Sequence, residues 1–148
     1  MLGLIGRDHG EALSIQVSEQ FVLGRIRTRL DHQRMQVSSR YGIHDKKLAL
    51  VIGEMERCTE EPRTPGQLAD SVGITTRQLE RLFRQHLNTT PVAFYLALRL
   101  DKGRQLLRQS DLSVLEVALA CGFDSASYFA RRYRTRFAVS PRDDRREA

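Results

Sequence analysis

Apolar residues in this chain recur every three to four positions, in blocks separated by short polar breaks. That is the spacing of helices that each bury one face. Leu48, Val51, Ile52 and Met55 form the first clear block, and Asp45 ahead of them suits an N-cap, so a helix is expected from Asp45 to about Cys58. Glu60-Glu61-Pro62-Arg63 reads as a loop. Thr64-Pro65 then supplies a cap and a proline at the first helical position, where its missing N–H costs nothing. This second helix runs to Val72 and stops at Gly73.

The third helix carries more signals. Thr75 and Gln78 have the spacing of a capping box, and Ile74 and Leu79 can form a hydrophobic staple across it. Leu79, Leu82, Phe83 and either His86 or Leu87 face inward, and Asn88 ends the helix. Thr90-Pro91 opens a long helix to about Gln109, with Phe94, Tyr95, Leu98, Leu106 and Leu107 among its apolar residues. Gly103 lies inside it and should cost about 1 kcal/mol relative to alanine. Asp111 or Ser113 caps the next helix, with Val114, Val117, Ala118 and Cys121 at helical spacing, and Gly122-Phe123 turns the chain. Asp124 or Ser125 caps a last long helix through Arg136, and Ser140-Pro141 starts a final short helix or tail. Strand-type alternation is nearly absent, so the expected class is all-α.

Towards the N-terminus the pattern weakens. Residues 1 to 24 read as helix interrupted near Asp8-His9-Gly10, and 25 to 42 as a polar, arginine-rich linker with room for some helix. The expected organisation is an N-terminal helical extension and linker over 1–40, followed by a folded unit over 45–146. Residues 1 to 24 are too short to close a core. They suit the end of a larger unit or a piece that docks on a partner.

Within 45–146 one pattern occurs twice, fifty positions apart. Leu79, Arg81, Phe83, Arg84 and Thr90-Pro91 are matched by Phe129, Arg131, Tyr133, Arg134 and Ser140-Pro141. Each copy follows a short apolar run and a glycine. A short helix, a glycine turn and an arginine-rich second helix is the sequence form of a helix-turn-helix. The helix expected between the two copies would be a rod of roughly 28 Å. Successive major-groove segments on one face of B-DNA lie about 34 Å apart.

Charge sharpens this picture. The chain has 148 residues, 41% of them hydrophobic, with a net charge of +6 and a pI near 9.9. A core can form, and a polyanionic partner is plausible. Between Asp124 and Phe137 stand Arg131, Arg132, Arg134 and Arg136 against Asp124 as the one acid. Cys58 and Cys121 have neither CxxC spacing nor a histidine pair, and His9, His32, His44 and His86 are scattered. No metal site, disulfide framework, cofactor or catalytic constellation is expected. The apolar stretch Met1 to Ile5 is too short for a signal peptide and no run has membrane-spanning length, so the expected compartment is the cytosol.

LADSVGITTRQLERLFRQHLNTTP in the first copy and VALACGFDSASYFARRYRTRFAVSP in the second resemble the DNA-binding domain of the AraC/XylS family of bacterial transcription regulators. The resemblance spans Asp45 to Arg146. It implies seven helices, two homeodomain-like helix-turn-helix units joined by a long central helix, and binding to double-stranded promoter DNA beside RNA polymerase in the nucleoid. Asn88 and Ala138 stand where glycine is frequent in the family, Gly103 where alanine is usual, and the Arg142-Asp143-Asp144-Arg145-Arg146 tail departs from the family's ending. GLIGRDHGEALSIQVSEQFVL is similar to the junction found in the branch whose sensory domain resembles class I glutamine amidotransferases. That implies that residues 1–40 are the remnant of an effector domain, with any small-molecule effector acting through the part not included in this chain.

The first recognition helix would enter the groove with its N-terminal half, so that Arg77 and Arg81, one turn apart, and Glu80 face bases and Thr76 reaches a base or a phosphate. The family pattern laid on this sequence puts Ala126, Ser127, Ala130 and Arg131 of the second unit against bases. Arg84, Arg132, Arg134 and Arg136 fall to phosphates. Glu80 can accept from cytosine N4, or pair with Arg77 or Arg84 and orient it, the role slightly favoured here. Leu79, Phe83, Phe129 and Tyr133 are expected to be core anchors rather than base-stacking groups. The competing reading is a helical module that binds nucleic acid without sequence preference or binds another protein.

Overall fold

A computed structural model of the chain describes residues 29–147. The regular elements among the described residues are all helices: α1 over 29–41, α2 Lys46–Arg57, α3 Pro65–Ser71, α4 Thr76–Leu87, α5 Pro91–Gln109, α6 Val114–Ala120, α7 Ala126–Phe137 and α8 Pro141–Glu147. The seven from α2 onward match the count implied by the family, and all-α is the observed class.

Local chemistry sets the boundaries. Asp45 accepts a hydrogen bond from the Leu48 N–H at 2.9 Å. Thr64/Gln67, Thr75/Gln78 and Ser113/Glu116 form complete capping boxes, each satisfying two backbone donors that would otherwise lack a partner. Ser113 rather than Asp111 caps α6, and Ser125 rather than Asp124 caps α7. Asn88 and Ala138 both adopt the left-handed conformation that closes α4 and α7, at φ 54° and 62°.

Two cores form, both built on α5. The first gathers Val51, Ile52, Leu68, Leu79, Phe83 and Tyr95; the second gathers Leu100, Leu107, Val117, Phe123, Phe129 and Tyr133. Leu87 packs against the first core, while His86 is exposed. The division falls between Tyr95 and Leu100, about one helical turn. The central helix is therefore a shared wall of two adjoining cores over most of its length.

Within the stretch read as a linker with room for some helix, residues 29–41 are helical and pack on the folded unit. Val37 and Ile43 are fully buried in the first core. Gln33 donates to the Gly53 carbonyl at 3.1 Å, and the Arg40 fork holds Glu56 at 2.7 and 3.0 Å. So few apolar anchors leave no visible period, because polar contacts do much of the docking. The reading of residues 1 to 24 lies outside the described residues.

The C-terminal segment is a clamp. Asp144, 2% exposed, accepts from Arg108 at 2.8 Å and from the Tyr133 hydroxyl, with Arg104 at 3.1 Å. Arg145 donates to the Leu107 carbonyl at 3.0 Å. These contacts fasten α8 to α5 and α7.

A candidate nucleic-acid interface

α4 is held by Leu79 and Phe83, both fully buried, with the Phe83 ring edge-on to Phe94 at 5.5 Å between centroids. This anchoring fixes which residues remain outside. Thr76, Arg77, Glu80, Arg81 and Arg84 are all exposed. Arg77, Glu80, Arg81 and Arg84 line one open depression together with Thr90, the cap of α5. Among the described residues none of these arginines has an ion-pair partner, and Glu80 reaches no arginine. The orienting role favoured for Glu80 from the sequence is thus not formed, and its carboxylate stands free on the same face.

α7 repeats the arrangement fifty residues on. Phe129 and Tyr133 are fully buried and replace Leu79 and Phe83. Ser127, Arg131 and Arg134 are exposed, with Ala126 and Ala130 half-buried between them. Arg81 and Arg131 occupy equivalent places, as do Arg84 and Arg134. The Arg131 guanidinium lies over the Tyr128 ring, 5.4 Å from its centroid. Tyr128 was missed from the sequence. Its neighbour Phe129 faces the core, so an outward Tyr128 was the available signal.

The remaining two arginines of α7 are less free than expected. Arg136 makes a two-pronged pair with Asp101 of α5, at 2.9 and 3.1 Å. Arg132 is half-buried and its Nε is shielded without a hydrogen-bond partner. The exposed arginines of the two helices that have no ion-pair partner among the described residues are therefore Arg77, Arg81, Arg84, Arg131 and Arg134.

A family model described as a helix-turn-helix domain matches residues 68–147. A crystal structure from Chromobacterium violaceum, described as a transcriptional regulator of the AraC-type DNA-binding domain-containing proteins, superposes with a TM-score of 0.67. It is 44% identical and covers 68% of this chain and 90% of its own. The chain belongs to the AraC-type family. The HTH-type transcriptional regulator CdhR of Pseudomonas aeruginosa is 66% identical over 145 residues, 98% of this chain but 43% of CdhR, so the chain spans less than half of that relative's length. The DNA-binding domain of AdpA, solved in complex with a target DNA, superposes with a TM-score of 0.65 at 29% identity over 68% of this chain and 91% of its own.

In this AraC-type domain Cys58 donates from Sγ to Glu54 at 3.6 Å. Cys121 is fully buried, and burial pushes its thiol up to about 11, the reverse of what a nucleophile needs. The matched relatives are transcriptional regulators. No helix among the described residues is long and apolar enough to cross a membrane.

Proposed function

We propose that this AraC-type chain binds promoter DNA sequence-specifically and regulates transcription, with α4 and α7 entering two successive major-groove segments. One observation carries the reading: both helices expose residues at the same register, headed by the pairs Arg81/Arg131 and Arg84/Arg134, which have no carboxylate partner among the described residues. The AdpA domain, solved with its target DNA, supports it.

Arg77 and Arg81, one turn apart, address successive base pairs. A bidentate arginine–guanine contact is worth about 1–3 kcal/mol of discrimination. Thr76 lies at the entry to the groove, and the free Glu80 carboxylate accepts from cytosine N4. On α7 the small Ala126, Ser127 and Ala130 let the backbone approach thymine methyls, and Arg131 supplies the long reach. The first unit then reads guanine, and the second reads thymine and groove shape. Arg84 and Arg134 hold phosphates, with Arg132 and Arg136 as secondary contacts. RNA polymerase is the protein partner at the promoter. A small-molecule effector acts through an amidotransferase-like domain preceding residues 1–40, and the site of action is the nucleoid in the cytoplasm.

Selection from a random duplex pool tests the reading. A two-element site is expected, and Arg81→Ala or Arg131→Ala should relax preference in one element each while the fold survives. Salt titration against duplex DNA, single-stranded DNA and duplex RNA supplies the control. Equal binding to all three, or an Arg81→Ala variant with unchanged preference, overturns the assignment.

A further inference from the structure

The two turn glycines share a conformation but not a setting. Gly73 has φ +71° and nothing within 4 Å of an added Cβ. Gly122 has φ +82°, and an added Cβ would lie 2.4 Å from the Thr59 carbonyl oxygen and 2.6 Å from Pro62 Cγ. The turn of the second unit is pressed against the α2–α3 loop of the first.

Two side chains of α5, one turn apart, hold this junction from beneath. The Tyr95 hydroxyl donates to the Cys58 carbonyl and accepts from the Arg63 N–H at 3.1 Å, fastening the loop on either side of Thr59 and Pro62. Arg99 donates from Nε to the Cys121 carbonyl at 2.8 Å and from a terminal nitrogen to the Gly122 carbonyl at 2.7 Å. Its guanidinium also lies over the Phe123 ring, 4.3 Å from the centroid. Burial lowers the Arg99 pKa. A planar fork against two successive carbonyls is a geometry that lysine cannot reproduce.

We propose that Arg99 is a positioning residue that latches the second helix-turn-helix turn onto α5 beside Tyr95, which fastens the first unit's loop, and thereby sets the spacing between the two DNA elements the protein accepts. Each unit is seated on α5 by its own core, and the contacts across the junction limit how far one unit can shift relative to the other. One base pair of added spacing displaces the second element by about 3.4 Å and 34°. A latched pair of reading helices rejects such a shift, whereas a loosened pair follows it. The inference rests on the two-element reading above.

The test uses the full chain and the selected site, with spacing altered by up to two base pairs either way. The wild type should lose at least tenfold in affinity for a one-base-pair change. Arg99→Ala should weaken binding at the best spacing several-fold and flatten the profile to within about threefold. Its affinity for a duplex holding one element should stay within twofold of wild type. A purely structural role would lower thermal stability and all affinities together, leaving the profile's shape intact. Arg99→Lys keeps the stem and charge but not the fork, and should flatten the profile partway; it serves as the reporter if the alanine variant does not fold. A flat wild-type profile removes the two-element reading and the latch with it. A steep wild-type profile that persists in the folded Arg99 variants removes the latch alone.

Discussion

Gly103 lies directly against the ring of Phe129: a methyl group added at Gly103 would stand 2.8 Å from Phe129 Cε1 and 2.9 Å from Cζ. Helix propensity alone says that alanine here gains about 1 kcal/mol. The contact reverses that expectation. Phe129 is fully buried, with the Phe123 and Tyr133 rings 5.1 and 5.5 Å from its own, so any shift of its ring displaces other core rings. Overpacking of this kind costs about 1–3 kcal/mol. Gly103→Ala should therefore be destabilising, by about 1 kcal/mol after the propensity gain, in urea unfolding. Gly103→Ala with Phe129→Leu should cost less than the sum of the two single changes. A more stable Gly103→Ala protein would mean that the ring is not seated as described.

Asp144 gives the domain a defined acid sensitivity. Burial by itself pushes its carboxyl up, but the Tyr133 hydroxyl, Arg108 and Arg104 together outweigh burial and hold it below the ordinary 3.8. A carboxylate whose folded value is depressed contributes stability that is complete above its unfolded value. That contribution is lost as pH falls through the folded one. At pH 7, Asp144→Asn should cost roughly 2–4 kcal/mol, somewhat below what breaking a fully buried pair costs, because both arginines keep a water-facing side. The gap between wild type and variant should narrow below about pH 4. Urea midpoints between pH 7 and pH 3 measure this, and a constant gap would refute it.

Ala138 closes α7 at φ 62° and ψ 20°, with its N–H donating to the Arg134 carbonyl at 2.8 Å. The left-handed conformation costs an L-residue about 1–2 kcal/mol, which exceeds the extra backbone entropy that glycine loses on folding. Ala138→Gly should then stabilise the domain by about 0.5–1 kcal/mol, seen as a melting temperature a few degrees higher. Asn88→Gly should gain less, since asparagine tolerates this region. A lower melting temperature for Ala138→Gly would show that the methyl group has a packing role.

These cases mark what was legible in the sequence. Thr75 with Gln78, Asp45, Pro65, Pro91 and the two turn glycines act within four residues of themselves, so their roles can be read along the chain. The fifty-residue repeat supplied the paired units, and Leu79 and Phe83 fixed which side of α4 faces out. The missed contacts join residues far apart: Gln33 to Gly53, Arg99 to Cys121 and Gly122, Arg108 to Asp144. No local period announces such pairs. A tail reading Arg-Asp-Asp-Arg-Arg resembles a solvated end until Asp144 is found beneath two arginines. Gly103 reads as a weak point in a helix until the ring of Phe129 is seen against it.

Arg134 and Arg136 lie on the same turn of α7 but should not behave alike toward DNA. Arg134 is exposed with no ion-pair partner among the described residues, whereas Arg136 already engages Asp101 through both prongs. That pair is exposed and worth little to stability. Even so, Arg136 must release one negative charge to gain another. Counterion release counts net phosphates neutralised, so each free arginine on a phosphate adds about one to the slope of log affinity against log salt. Arg134→Ala and Arg84→Ala should each make the slope shallower by about 1. Arg136→Ala should change it by clearly less, and Asp101→Asn, which frees Arg136, should steepen it. Fluorescence anisotropy with a duplex carrying the selected site, across a series of salt concentrations, separates the cases. Equal slopes for Arg134→Ala and Arg136→Ala would show that the Asp101 pair does not hold Arg136 away from the phosphates.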